Sequence, residues 1–197
     1  MSYSSIRDNY SHGSVGEFLK QNLETNSDVS IVSAYFTIYA YHYLRGNLDA
    51  INGLRFLFGD PAFIRAIDPD KINVRDFKIE DDKIVIPIES RLTQKTIAKE
   101  CSEWIKKKVE IRSMVKPNFL HGKMYHVRQE NGIEKAIAGS SNFTVNGLGL
   151  GGSKNIELNM IIDSDRDRQE LKEWFNSIWN DQTGLVEDVK EQVLKYR

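Results

Sequence analysis

Two runs, His121 to Arg128 and Ile133 to Ala138, flank the dipeptide Asn131-Gly132. Asn-Gly most readily makes a tight hairpin turn, because such turns need positive φ angles. The two runs are therefore expected as antiparallel strands. Further short runs rich in β-branched and aromatic residues join them: Val29 to Phe36, Leu54-Arg55-Phe56-Leu57-Phe58, Val109 to Arg112 and Ile156 to Ile162. Gly59-Asp60-Pro61 is a turn signal that ends the second of these.

Helical patterns alternate with the strands. Ser14-Val15-Gly16-Glu17 matches a capping box, followed by Phe18, Leu19 and Leu23, and Asn26-Ser27-Asp28 breaks the helix. Thr37 is placed to cap a helix running to about Leu44. Leu92 to Lys108 sets Ile97, Cys101, Trp104 and Ile105 near helical spacing. Ser164 precedes a helix carrying Leu171, Trp174, Phe175, Ile178 and Trp179. Residues 60–82 are charged and irregular, and Lys83 to Ile88 reads as a short strand or arm. Strands alternating with helices predict an α/β fold.

The length of 197 residues suits one domain, assigned to residues 1–183. Residues 184–197 are expected to form a charged C-terminal helical segment, which would lead to a further domain if the chain continues. Cys101 is the single cysteine, so an internal disulfide is excluded and a reducing compartment is expected. The formal net charge of −1 does not advertise nucleic-acid binding, yet a basic groove can sit on a neutral protein. No stretch is apolar enough to span a membrane, and Met1 to Ser5 lacks a signal-peptide pattern. The expectation is a soluble cytoplasmic protein.

Residues 119–159 carry the chemistry. His121 and Lys123 lie two apart, which on a strand sets both on one face. Gly139-Ser140-Ser141-Asn142 follows the return strand of the same hairpin and offers hydroxyl, amide and backbone donors. Gly139 allows close backbone approach. One nucleophile or base, one fixed cation and several neutral donors suit a phosphate.

His121-Gly122-Lys123 with Gly139-Ser140-Ser141-Asn142-Phe143-Thr144 resembles the motif of the phospholipase D superfamily, in the form found in its nuclease branch. Glu157 fits the acidic residue that follows the loop there. Ser33-Ala34-Tyr35-Phe36 and Leu54 to Gly59 resemble the opening strands of such domains, particularly those fused to DNA helicases and restriction enzymes. One departure stands out: Arg128 occupies the position, five after the lysine, where the motif usually has Asp.

The resemblance implies a mixed sheet with helices on both faces, and a metal-independent phosphodiesterase without cofactors. His121 would be nucleophile or general acid. Lys123 and Asn142 would hold the phosphoryl oxygens, and Glu157 would orient His121 through its far ring nitrogen. Ser140, Ser141 and Lys116 are expected to bind substrate. The mechanism needs two histidines from two motifs, and this chain has one motif, since His12 and His42 lack the matching context. The resemblance therefore implies a homodimer with a shared site. DNA is the expected substrate. A non-cleaving module of a helicase or restriction system, fused or associated, is the alternative, and a lipid phosphodiesterase ranks third.

Several features have plainer readings. His-x-Lys alone is a weak signal. His126 with His121 has no third ligand nearby for zinc. The aromatic run Tyr35, Phe36, Tyr39, Tyr41, Tyr43 reads as core and helix surface more than as a base-stacking set. Lys106-Lys107-Lys108 ends a helix, where cations complement the dipole. Trp174 and Trp179 read as core or dimer packing, and Cys101 as buried and inert.

Overall fold

The computed structural model describes residues 4–59, 88–117, 119–152 and 155–195. The charged stretch 60–82 and nearly all of the expected arm lie outside the described residues. In chain order the elements are β1 (Ile6–Arg7), α1 (Val15–Asn22), β2 (Asp28–Ser33), α2 (Ile38–Leu48) and β3 (Gly53–Phe58). Then come α3 (Ile88–Lys108), β4 (Val109–Met114), β5 (Lys123–Arg128), β6 (Glu134–Gly139) and α4 (Val145–Leu148). The chain continues through β7 (Asn159–Ile162), α5 (Asp165–Trp179), β8 (Val186–Asp188) and α6 (Lys190–Leu194).

The strands form one mixed sheet in the order β1-β7-β6-β5-β2-β3-β4-β8. β2, β3 and β4 run parallel, joined by crossovers that include α2 and α3, and the other pairs are antiparallel. Helices cover both faces. On one face Val29, Ile31, Phe56, Ile111, Tyr125 and Ile137 pack with residues of α1, α2 and α3. On the other, Val32, Leu57, Met114 and Met124 meet Phe175 and Trp179 of α5. Period-two alternation in each strand produces this division. The expected α/β sheet with helices on both faces is thus the observed fold.

Local signals act as the residue chemistry dictates. Ser14 Oγ accepts from the Glu17 N–H, and the Glu17 carboxylate accepts from the Ser14 N–H, which completes the capping box. Thr37 caps α2 through the Ala40 N–H. Cys101 is buried, and desolvation pushes its thiol up to about 12, as suits an inert core residue.

Four expectations need correction. His121 precedes β5, so it shares no strand face with Lys123. The strand expected over 156–162 is confined to Asn159–Ile162. Just before it, the Leu158 N–H donates to the Ser140 hydroxyl and the Glu157 N–H to the Asp8 carbonyl, in place of a regular ladder. The run from Val29 ends its strand at Ser33, although Phe36 still bridges to Phe143. Finally, the tail expected as a helix contributes a strand first: β8 pairs with β4 before α6 begins.

Candidate active site

The expected site residues gather at one end of the sheet. β2, β3 and β4 finish at this end, β5 and β7 start there, and β6 finishes there. The register places Lys123 opposite Gly139, and Gly139 opposite Asn159, across three adjacent strands. A Cβ on Gly139 would meet the Leu158 carbonyl oxygen at 2.1 Å, so only glycine permits this close approach. Val32 lies opposite Met124, which brings the end of β2 beside the His121–Lys123 segment. His121 is exposed, and its carbonyl accepts from Lys123 Nζ at 2.9 Å. An ammonium has three donors, so two remain on Lys123 for an anion once the described residues are counted.

Asn142 is oriented by its neighbours. Its Oδ1 accepts from the Ala34 N–H at 3.0 Å and from the Ser33 hydroxyl at 3.2 Å. A backbone N–H can only donate, so the atom facing it must be the amide oxygen. Nδ2 is thereby turned the other way, with no hydrogen bond to any described residue, ready to donate to a ligand. Ser33, which is 0% exposed, ties this loop together. Its hydroxyl shares its one proton between the Tyr35 carbonyl at 2.7 Å and, more weakly, Asn142 Oδ1, and it accepts from the Phe143 N–H at 2.9 Å.

Ser140 and Glu157 form a second pair. The Ser140 hydroxyl donates to Glu157 Oε2, and Asn155 Nδ2 donates to Oε1 at 3.4 Å. Ser140 is exposed and adjoins the loop that carries Asn142. Ser141 differs from expectation. Its side chain is 0% exposed and accepts from Asn159 Nδ2 at 2.9 Å, while its N–H donates to Asn159 Oδ1 at 3.1 Å. Ser141 therefore anchors the loop, with its hydroxyl committed to Asn159. Tyr125 completes the support by donating to the Ser141 carbonyl at 2.8 Å. Burial, reinforced by the Glu157 charge, holds the Tyr125 phenol well above its usual range.

The remaining candidates divide by position. Lys116 is exposed after β4, at the same end of the sheet, with Nζ 6.0 Å from the Phe119 ring centroid. Arg128 sits at the far end of β5, beside Asp28 at 4.0 Å. Five residue steps along the strand separate it from Lys123, roughly 17 Å. The departure from the usual Asp therefore lies at the end of the sheet opposite Lys123. His126 is buried on the α5 face, with Nε2 3.3 Å from Glu134. Among the described residues, no group of three or more His, Cys, Asp or Glu side chains is placed to hold a metal.

Ser33, Asn159 and Asp8 were not assigned to the site from the sequence. Each holds a loop of the site through contacts distant in sequence, such as the Ser33–Asn142 bond across 109 residues. The available signal was a polar residue at the end of an apolar strand, as for Ser33 and Asn159.

Residues 56–179 match the family model described as "Cardiolipin synthase, PLD-like domain". That span is well over half of the chain. The chain belongs to the phospholipase D-like domain family. None of the curated proteins matches it. The phospholipase D-like match contains the His121-Gly122-Lys123 segment, the Asn142 loop and Glu157. The superfamily is one of phosphodiesterases, which agrees with donors and a cation converging at one sheet end.

Proposed function

We propose that this chain is a metal-independent phosphodiesterase that acts on DNA at a site completed by a second copy. The observation that carries this reading is the oriented Asn142 amide beside the His121–Lys123 segment. Asn142 Nδ2 and Lys123 Nζ supply donors for the two non-bridging oxygens of a phosphodiester. They stabilise charge as it develops on those oxygens.

His121 of one copy attacks phosphorus through a ring nitrogen, and the phosphorus–oxygen bond to the leaving group breaks. The second copy's histidine gives its proton to the departing oxygen. Water then attacks the phosphohistidine and loses a proton to that same histidine. The phosphorus–nitrogen bond breaks and a phosphomonoester leaves. Glu157, held by Ser140, serves as the carboxylate that fixes the imidazole tautomer. Ser140 acts by holding Glu157, and Lys116 meets the substrate backbone from the neighbouring loop.

A second copy is supported by the surface next to the site. Ile156, Leu158 and Met160 alternate with Glu157 and Asn159 and are 76%, 65% and 54% exposed. Three large exposed apolar side chains within five residues support an interaction surface there. A copy seated there would bring its own His121–Lys123 segment to this end of the sheet.

The test is hydrolysis of bis(4-nitrophenyl) phosphate and of DNA in EDTA, by wild type and His121→Ala. Cleavage by the wild type, lost in the variant by about a thousandfold or more, is the expected result. Equal rates in both would refute the role of His121. DNA binding without hydrolysis of either substrate would favour a non-cleaving targeting module.

A further inference from the structure

We propose that Tyr125 is a positioning residue for the reaction: its hydroxyl ties the strand that carries Lys123 to the loop that carries Asn142, and so sets the two phosphate donors against each other. The inference rests on the phosphodiesterase reading above and adds a residue to its machinery.

Lys123 and Tyr125 lie two apart on β5, so both side chains leave the same face of the strand. The β5–β6 ladder ends at the Lys123–Gly139 pair. Beyond Gly139 the chain becomes the loop of Ser140, Ser141 and Asn142, and the Tyr125 hydroxyl bridges back to it. It donates to the Ser141 carbonyl at 2.8 Å, the carbonyl of the peptide that leads into Asn142. The Tyr125 ring also lies 6.4 Å from the ring of Phe143, the residue after Asn142. One side chain of the lysine strand thus holds the loop on both sides of Asn142.

Packing alone does not call for that hydroxyl. Tyr125 is 1% exposed, in a core where Phe36, Phe56, Phe58 and Phe143 carry no polar side-chain atom. A phenol oxygen buried there is costly unless it is bonded, and the bond it makes is to the loop of the site. Burial and the Glu157 charge keep the phenol protonated in neutral and alkaline solution, so it stays a donor. Asn142 Oδ1 is fixed to the Ala34 N–H, which orients the amide relative to the end of β2. The Tyr125 bond fixes the backbone beneath that amide relative to β5 and Lys123. Donors that serve two oxygens of one phosphoryl group stabilise developing charge only at the right separation, and a small misplacement is expensive in rate.

The experiment compares the full chain as wild type, Tyr125→Phe, Asn142→Ala and the double variant. Phenylalanine keeps the ring and removes the hydroxyl. On bis(4-nitrophenyl) phosphate in EDTA, kcat of Tyr125→Phe is expected to fall about tenfold or more, with KM changed less than about twofold. In the Asn142→Ala background the same change should cost kcat less than about twofold, because the amide it positions is gone. Ile51→Val, a core change beside the opposite end of β3, is the control for lost stability and should leave kcat unchanged. An unchanged kcat in Tyr125→Phe, or equal losses in both backgrounds, would overturn the proposal. A second readout needs no turnover: the side-chain amide resonances of Asn142 in isotope-labelled protein, assigned by their loss in Asn142→Ala. They should shift in Tyr125→Phe and hold still in Ile51→Val, and resonances unmoved in Tyr125→Phe would count against the proposal as decisively. Absence of wild-type hydrolysis would sink the phosphodiesterase reading, while the amide shifts still decide the positioning.

Discussion

Asn142 shows how much one side chain settles when its partners are fixed. Ala34 and Ser33 both address Oδ1, so the donor end of the amide points at the site. Asn142→Asp keeps an oxygen for the Ala34 N–H and puts a second, anionic oxygen where the phosphoryl group would bind. Hydrolysis is expected to fall by about a hundredfold or more, with the urea midpoint little changed. Ser33→Ala acts differently, because it leaves the buried Phe143 N–H without its acceptor. A stability loss of about 1–3 kcal/mol is expected from denaturant unfolding, with the fold intact. His121, Lys123, Asn142 and Glu157 were legible because they stand in a spaced motif. Ser33 and Asn159 were not, because their partners are set by strand order, and Ser141 reads as one more loop donor until its burial is seen.

At the level of elements, a polar cluster joins the hairpin to α5. His126 of β5 lies against Glu134 of β6, whose other oxygen accepts from Lys172 of α5 at 2.5 Å. Arg55 comes from β3 to the same face, 4.8 Å from the Phe175 ring centroid. Burial lowers the His126 pKa from 6.5, and Lys172 and Arg55 lower it further, against the opposing pull of Glu134. The folded protein therefore binds fewer protons than the unfolded chain just below pH 6.5. Stability is expected to fall as pH drops through that window, by at most about 1.4 kcal/mol per pH unit. Glu134 adds a loss at lower pH. Burial would raise its carboxyl, but Lys172 and His126 outweigh burial and hold it below 4.5. Urea unfolding of wild type and His126→Gln at about pH 7.5 and about pH 5.5 checks the first window. The variant should show the smaller drop, and an equal drop would place the acid sensitivity elsewhere. The strands themselves were legible from β-branched and aromatic runs, since those runs became the buried faces. The reading failed at 156–158, where bonds to Ser140 and Asp8 replace the regular ladder. It failed again at 186–188, where pairing with β4 makes a strand of a segment expected as helix.

The whole molecule presents one His-Lys set at one end of an eight-stranded sheet, next to an exposed apolar strip. If that strip seats a second copy, Leu158→Glu should convert a dimer to a monomer in light scattering and remove hydrolysis with it. A charge in the centre of an apolar contact is left desolvated and unpaired. The α/β class was legible from the alternation of strands and helices, and the mixed sheet with helices on both faces from the family resemblance. The edge positions of β1 and β8 were not, because two or three residues carry little local signal and pairing alone makes them strands. In the proposed function one chain holds half a site. The most direct test is hydrolysis of bis(4-nitrophenyl) phosphate in EDTA by wild type co-refolded with increasing proportions of His121→Ala. A shared site predicts that activity per wild-type subunit falls in proportion to the wild-type fraction, because mixed dimers hold a single histidine. Constant activity per wild-type subunit would contradict it.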